Sequence, residues 1–109
     1  MATPVERRNV YTLGEQWHPV LRAYALAVRE MRKRPPSDTT SWAYQAEVHG
    51  VGSPSDPPPD QFRSQCQHNC WYFLPWHRWY LYYFEQIIRS VLADLDEVPD
   101  DVAASWALP

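Results

Sequence analysis

Residues 66–85 read CQHNCWYFLPWHRWYLYYFE and hold two cysteines, two histidines, three tryptophans, four tyrosines and two phenylalanines. From Pro75 onward, one set of residues recurs at steps of three or four, which predicts a long helix with one apolar face. This set comprises His77, Leu81, Phe84, Ile88, Val91 and Leu95. His77 therefore lies on the apolar face of the predicted helix, where packing requires apolar side chains but not an imidazole.

An earlier helix is predicted to begin at Pro19, because proline is typical of the first helical position, where its missing N–H costs nothing. The apolar residues that follow recur at helical spacing until Pro35 and Pro36 end the pattern. They are Val20, Leu21, Tyr24, Val28 and Met31.

A second helix is predicted to open at the segment SDTTS, residues 37–41, which is rich in N-cap residues, and to end at His49 before Gly50. Residues 50–65, rich in proline, are predicted to form a loop between the second and third helices, and residues 4–16 an extended arm with a turn. The sequence thus predicts an all-α fold of the helical-bundle kind.

Length and charge narrow the class of protein. The 109 residues are enough for one domain, and the net charge of -3 indicates neither a nucleic acid nor an anionic membrane as a partner. Seven of the ten basic residues precede residue 35, whereas acidic residues gather near the end, a pattern interpreted as solvated surface. No apolar run approaches the roughly 20 residues that span a bilayer. The opening MATPVERRNV lacks the apolar region of a secretory signal, so we expect a cytoplasmic protein or one exported with a partner.

The chain has four histidines, of which His18 is interpreted as a helix-start residue. His49 ends one predicted helix, His68 lies in the approach to the next, and His77 lies on its buried face. Three neutral imidazoles in an apolar setting suit copper or zinc, but hydrogen-bonded core histidines would give the same pattern. A rival zinc site would use Cys66, His68, Cys70 and His77, although it lacks the usual C-x2-C spacing.

The segments SWAYQAEVHG and CQHNCWYFLPWHRWYLYYFEQIIR together resemble the first copper-binding half of the tyrosinase family. This family includes tyrosinases, catechol oxidases and molluscan haemocyanins. The most specific element is H-x8-H, His68 to His77, within FLPWHRWYLYYFE. The resemblance implies a type-3 copper centre in a helical bundle, with phenols or o-diphenols oxidised to quinones by O2.

Carried over residue by residue, the resemblance implies that His49, His68 and His77 hold the first copper. It implies no catalytic residue beyond the metal ligands. Phe73 matches an aromatic residue that packs against the ligand histidines. Cys66 matches a cysteine that forms a thioether with the imidazole at the position of His68; a free thiol and a disulfide with Cys70 remain alternatives.

The family's second copper requires three further histidines, and the four in this chain cannot supply both sets. The chain also ends SWALP, inside a phrase that resembles the family's LPYWDW. We therefore predict that residues 1–109 are the first-copper half of a tyrosinase-like domain, truncated at the end. A naturally short protein is the alternative. Either would be inactive alone and would need the missing half or self-association.

Two other functions remain open from the sequence. An oxygen-binding module of the haemocyanin kind would share the first-site motif. A non-catalytic helical module, with histidines that are structural or bind zinc, would share the helices. Metal analysis separates the last from the copper proteins.

Overall fold

The computed structural model describes residues 5–14, 16–50, 64–66 and 68–109. These ranges contain one 3-10 helix, Val10–Thr12, and four α-helices: α1 (Pro19–Lys33), α2 (Trp42–His49), α3 (Phe73–Ala93) and α4 (Asp100–Ser105). They contain no strand, so the predicted all-α class is confirmed. None of the helices in the described ranges is long and apolar enough to cross a membrane.

Helix α1 begins at Pro19, as predicted, and the Nδ1 atom of His18 accepts a hydrogen bond from the backbone N–H of Val20 at 3.2 Å. The predicted apolar stripe is displaced around the helix, because its most buried residues are Ala23, Ala27 and Met31. The large side chains flanking this line are only half-buried. Alanine has a small side chain, so neighbouring elements can approach the helix closely on that side. The sequence pattern was based on large apolar residues and therefore did not include the two alanines.

Helix α2 has the predicted ends. The hydroxyl of Ser41 accepts a hydrogen bond from the backbone N–H of Tyr44 at 3.0 Å and so caps the first turn. At the other end, the N–H of Gly50 donates to the carbonyl of Ala46 at 3.0 Å. Residue 49 is thereby fixed as the last helical position.

Helix α3 begins at Phe73, so Pro75 lies in its first turn, where no intrahelical donor is lost. Phe84, Ile88 and Val91 are buried, as the periodicity predicts. Leu81 does not follow the prediction, since its side chain is exposed.

Glu85, also on α3, is a charged residue that is only 7% exposed. Its carboxylate accepts hydrogen bonds from Nε of Arg7 at 2.9 Å and from the backbone N–H of Leu108 at 3.0 Å. A buried carboxylate is retained when such donors replace its water. These long-range partners could not be identified from helical spacing.

The chain divides into two compact units, and the first comprises the described parts of residues 1–30 and 85–109. Trp106 is 1% exposed, donates from Nε1 to the carbonyl of Val20 at 3.0 Å, and packs on the ring of Tyr24. Helix α4 belongs to this unit and was not predicted from the sequence; acidic residues in its first turn complement the helix dipole. In the acidic segment interpreted as solvated surface, Glu97 is exposed and forms an ion pair with Arg29.

The second unit comprises the described parts of residues 31–84. Within it, the hydroxyl of Tyr80 donates to the carbonyl of Gln45 at 2.7 Å, and the rings of Trp42 and Phe84 meet edge to face. These contacts join α2 to the first half of α3. The predicted proline-rich loop falls largely on residues 51–63, which lie outside the described residues.

Candidate metal centre

The approach to the site begins at the end of α2. The backbone N–H of Ser64 donates to the carbonyl of Glu47 at 2.7 Å, and that of Gln65 donates to Val48 at 2.8 Å. These two bonds hold the returning chain against the last turn of α2. Cys66, the next residue, is thereby placed beside His49, with 3.2 Å between Sγ and Nε2.

His68 precedes a sharp turn of the backbone. Asn69 has a φ of 56°, in the left-handed region that asparagine tolerates better than most residues. The N–H of Phe73 then donates to the carbonyl of Cys70 at 3.2 Å, and α3 begins. This turn leaves the imidazole of His68 facing the start of α3, with its ring centre 5.4 Å from that of His77.

His77 lies one turn into α3, and its Nδ1 atom is 2.7 Å from the carbonyl oxygen of Phe73. A carbonyl oxygen accepts hydrogen bonds and never donates them, so Nδ1 carries the proton. The unprotonated Nε2 atom lies 3.3 Å from Sγ of Cys66. The hydrogen bond thus directs a free lone pair toward the other three side chains.

Four side chains meet at this point: His49, Cys66, His68 and His77. Each offers one ligand atom, and these four atoms all lie within 4.8 Å of one another. We call this group the His–Cys cluster. The three histidines predicted to share a metal are therefore together, whereas His18 and Cys70 are not members, and the rival set built on Cys70 does not assemble in the described residues.

The donors of the His–Cys cluster are three imidazoles and a thiol, and no carboxylate belongs to it. Imidazole suits copper and zinc alike, and thiolate suits the softer ions, zinc and Cu(I). Hard cations such as Mg²⁺ and Ca²⁺ prefer oxygen ligands, which this group lacks. The donor set therefore fits copper.

Aromatic rings border the cluster. The ring centre of Phe73 lies 4.2 Å from that of His77 and 5.2 Å from that of His68. The ring of Trp76 meets His77 edge-on at 4.8 Å and stacks on Tyr80 at 5.4 Å. Phe73 thus packs against two of the three histidines, and its role in orienting them stays a prediction. Trp76 borders the cluster directly, and Tyr80 supports Trp76 from behind.

One side of His49 borders an open cavity of about 400 Å³. The other residues that line it are Trp42, Gln45, Ala46, Tyr80, Leu81 and Phe84. The cavity thus gives the ligand-bearing end of α2 a largely apolar wall.

The environment of Cys66 changes the acidity of its thiol. Burial raises the pKa of this thiol, and the neighbouring Cys70 adds a smaller shift in the same direction. Without a cation, the neutral thiol is therefore favoured. The sequence indicated Cys66 as a thioether partner of His68 or as a ligand of the rival zinc site with Cys70. It did not place Cys66 among all three histidines, because the backbone bonds that bring it there follow no sequence pattern.

An all-α protein with three histidines and a cysteine gathered around one point has the donor arrangement of a metal-binding helical protein. The model of the common central domain of tyrosinase matches residues 39–109. This chain belongs to the tyrosinase family, which is copper-dependent and includes oxidoreductases such as the tyrosinases and polyphenol oxidases.

Individual relatives support the same assignment. Tyrosinase HcTyr1 of Hahella sp. (strain CCB-MM4) is 40% identical, over 94% of this chain and 24% of its own length. The chloroplastic polyphenol oxidase II of Ipomoea batatas is 36% identical over 62% of the chain and 12% of its length. The chloroplastic (+)-larreatricin hydroxylase of Larrea tridentata is 34% identical over 68% of this chain and 13% of its own length. The chain thus spans a quarter or less of the length of these relatives.

Proposed function

We propose that this chain provides the first copper site of a type-3 copper oxidoreductase that oxidises phenols and o-diphenols to quinones with O2. The observation that carries the proposal is the convergence of His49, His68 and His77, which come from the end of α2, the segment before α3, and α3 itself. Membership of the tyrosinase family supports it independently.

Copper, when bound, supplies the one-electron chemistry that the reduction of O2 requires. The chain's own residues hold and orient the ligands. The Phe73 carbonyl fixes the tautomer of His77, and the Phe73 ring, which touches two of the histidines, limits their rotation. Partners of this kind typically influence metal affinity by about 10- to 100-fold.

A pair of coppers needs more ligands than these residues contain. The sequence has four histidines, and His18 accepts a hydrogen bond at the start of α1 instead of joining the cluster. We therefore propose that the second copper is held by residues outside these 109, or by a second copy. The 109 residues alone should then not oxidise phenols.

Oxidation is favoured over oxygen carriage by the relatives. Those reported above are named as a tyrosinase, a polyphenol oxidase and a hydroxylase. We accordingly propose a phenolic small molecule and O2 as the partners of the complete site.

The thioether between Cys66 and His68 stays a prediction with a geometric argument in its favour. Sγ lies 3.4 Å from Nδ1 and 3.5 Å from Nε2 of His68. Because these two distances are nearly equal, the sulfur lies close to the plane that bisects the line between Nδ1 and Nε2. This plane contains Cε1, the carbon between the two nitrogens. Forming the S–Cε1 bond removes the thiol hydrogen and the ring hydrogen, a two-electron oxidation with O2 as oxidant. Intact-mass measurement detects it as the loss of two hydrogens.

The proposed function is tested by metal analysis of the purified chain after growth with copper and zinc both supplied. We expect about one copper per chain and no catechol oxidation by the chain alone. Zinc or no metal would support the non-catalytic helical module instead.

A further inference from the structure

The sulfur of Cys66 lies at similar distances from all three imidazoles. The separations from Sγ are 3.2 Å to Nε2 of His49, 3.3 Å to Nε2 of His77 and 3.4 Å to Nδ1 of His68. A cysteine that served only as the covalent partner of His68 would not need to approach the other two rings.

We propose that Cys66, as a thiolate, is a fourth ligand in this cluster, so that the reduced chain holds a single soft ion, Cu(I), through three nitrogens and one sulfur. The inference rests on the proposed function, because it uses the same three histidines. It goes beyond that function in making the isolated cluster a complete mononuclear site.

The spacing of the donor atoms supports four-coordination. A tetrahedral ion with bonds of about 2.0–2.1 Å to nitrogen and about 2.3 Å to sulfur sets nitrogen–sulfur separations of about 3.5 Å. The three observed separations, from 3.2 to 3.4 Å, fall short of this by a few tenths of an ångström. Since all four donor atoms lie within 4.8 Å of one another, modest adjustments of the side chains would bring every donor to bonding distance of one ion.

The chemistry of the donors restricts the ion to Cu(I) or zinc, and the family favours copper. Thiolate is a soft ligand that favours Cu(I) and zinc among common metals, and imidazole accepts both. Cu(I) and Zn²⁺ share a filled d shell and impose no geometry of their own, so a tetrahedral set of four serves either. In a copper-dependent family, Cu(I) is the ion that a reduced, thiol-containing chain would take.

The sulfur has one free valence, so ligation as a thiolate and the thioether to His68 are alternative states. In the first, the Cys66 sulfur gives up its proton to solvent and binds the ion. In the second, it is bonded to carbon and is at most a weak ligand. Three-histidine coordination would then follow only once the cross-link had formed.

The test is X-ray absorption spectroscopy of the 109-residue chain loaded with Cu(I) under reductant. We expect one sulfur at about 2.3 Å together with nitrogens at about 2.0 Å. Cys66→Ser should lose the sulfur signal and weaken Cu(I) binding at least about tenfold, since even loss of an outer partner costs that much. Cys70→Ser is the matched control and should keep both the sulfur signal and the affinity for Cu(I).

The outcomes separate the two proposals. Copper binding that depends on His77 but shows only nitrogen ligands overturns the fourth-ligand inference and leaves the proposed function standing. A sulfur signal that persists in Cys66→Ser and disappears in Cys70→Ser also overturns it. Copper binding unchanged by His77→Ala overturns the proposed function itself. If Cys66→Ser does not fold, the wild-type spectrum still decides.

Discussion

Nδ1 of His77 lies 2.7 Å from the carbonyl oxygen of Phe73, four residues earlier on the same helix. This one hydrogen bond assigns the proton to Nδ1 and turns Nε2 toward Cys66, 3.3 Å away. Metal-binding histidines commonly donate their second N–H to a carbonyl or carboxylate, which fixes the ring and its tautomer. The first turn of α3 therefore orients the imidazole of His77 for metal binding in the absence of a metal ion.

Replacing a histidine of the cluster should abolish stoichiometric copper binding. We expect His49→Ala, His68→Ala and His77→Ala each to lower copper from about one per chain to a small residual fraction, because each variant removes one of the three nitrogen ligands on which binding depends. Copper content is measured after equilibrium dialysis, with circular dichroism to check helix content.

The matched control is His18→Asn. His18 accepts a hydrogen bond from the N–H of Val20 at the start of α1, and asparagine offers an acceptor of similar reach. We expect this variant to bind copper like the unaltered chain. Equal losses in all four variants would contradict a site confined to the His–Cys cluster.

The sequence predicted the three long helices because their ends are set locally. Ser41 and Gly50 define α2, and Pro19 begins α1, as expected. What it could not predict depends on contacts between distant residues. The burial of Glu85 requires Arg7 and Leu108, which lie 78 and 23 residues away.

The buried carboxylate of Glu85 should be important for stability. Glu85→Ala leaves the N–H of Leu108 without its acceptor and removes the partner of Arg7, so we expect a loss of roughly 1–3 kcal/mol in the free energy of unfolding. Urea denaturation followed by circular dichroism measures it.

Two variants serve as controls for Glu85→Ala. Glu85→Gln keeps an acceptor oxygen and should lose less stability. Gln86→Ala, at the exposed neighbouring position, should change stability little. A loss as large at residue 86 as at residue 85 would assign the effect to the helix and not to the buried carboxylate.

The ion pair between Arg29 and Glu97 should make stability depend on pH in the acidic range. The hydrogen bond from Arg29 holds the pKa of the Glu97 carboxyl below its usual value of 4.5. A carboxyl whose pKa is lowered by folding stabilises the folded chain above the unfolded pKa, and this contribution is lost as pH falls through the folded pKa.

We therefore expect Glu97→Gln to have a lower Tm than the unaltered chain at about pH 7 and the same Tm once the carboxyl is protonated. The difference in Tm at about pH 7 should be small and should decrease with added salt, because the ion pair between Arg29 and Glu97 is exposed. Asp96→Asn is the control for the loss of one negative charge. A Tm difference that persists unchanged in acid would contradict the assignment.

For the site, the family motif indicated the three histidines that lie together in the structure, but not the way they assemble. The return of the chain along α2, through Ser64 and Gln65, brings Cys66 among them. The left-handed turn at Asn69 reverses the chain before α3. Both are backbone arrangements of a segment with no regular secondary structure, for which hydrophobic periodicity carries no information.

The outer face of α3 should drive the 109-residue chain to self-associate. Trp79 and Tyr83 are each 60% exposed and stack on one another, and Leu74 nearby is 73% exposed. Covering each such side chain contributes on the order of 1.5–3 kcal/mol, and contiguous exposed apolar surface of this kind commonly becomes an interface. We expect Trp79→Lys combined with Tyr83→Lys to shift the chain toward monomer, measured by light scattering on a sizing column over a range of concentrations. Tyr11→Lys is the control, because Tyr11 is 92% exposed but lies on the short 3-10 helix. An unaltered chain that stays monomeric at every concentration, or a double variant that associates as before, would show that this face does not bind a second copy.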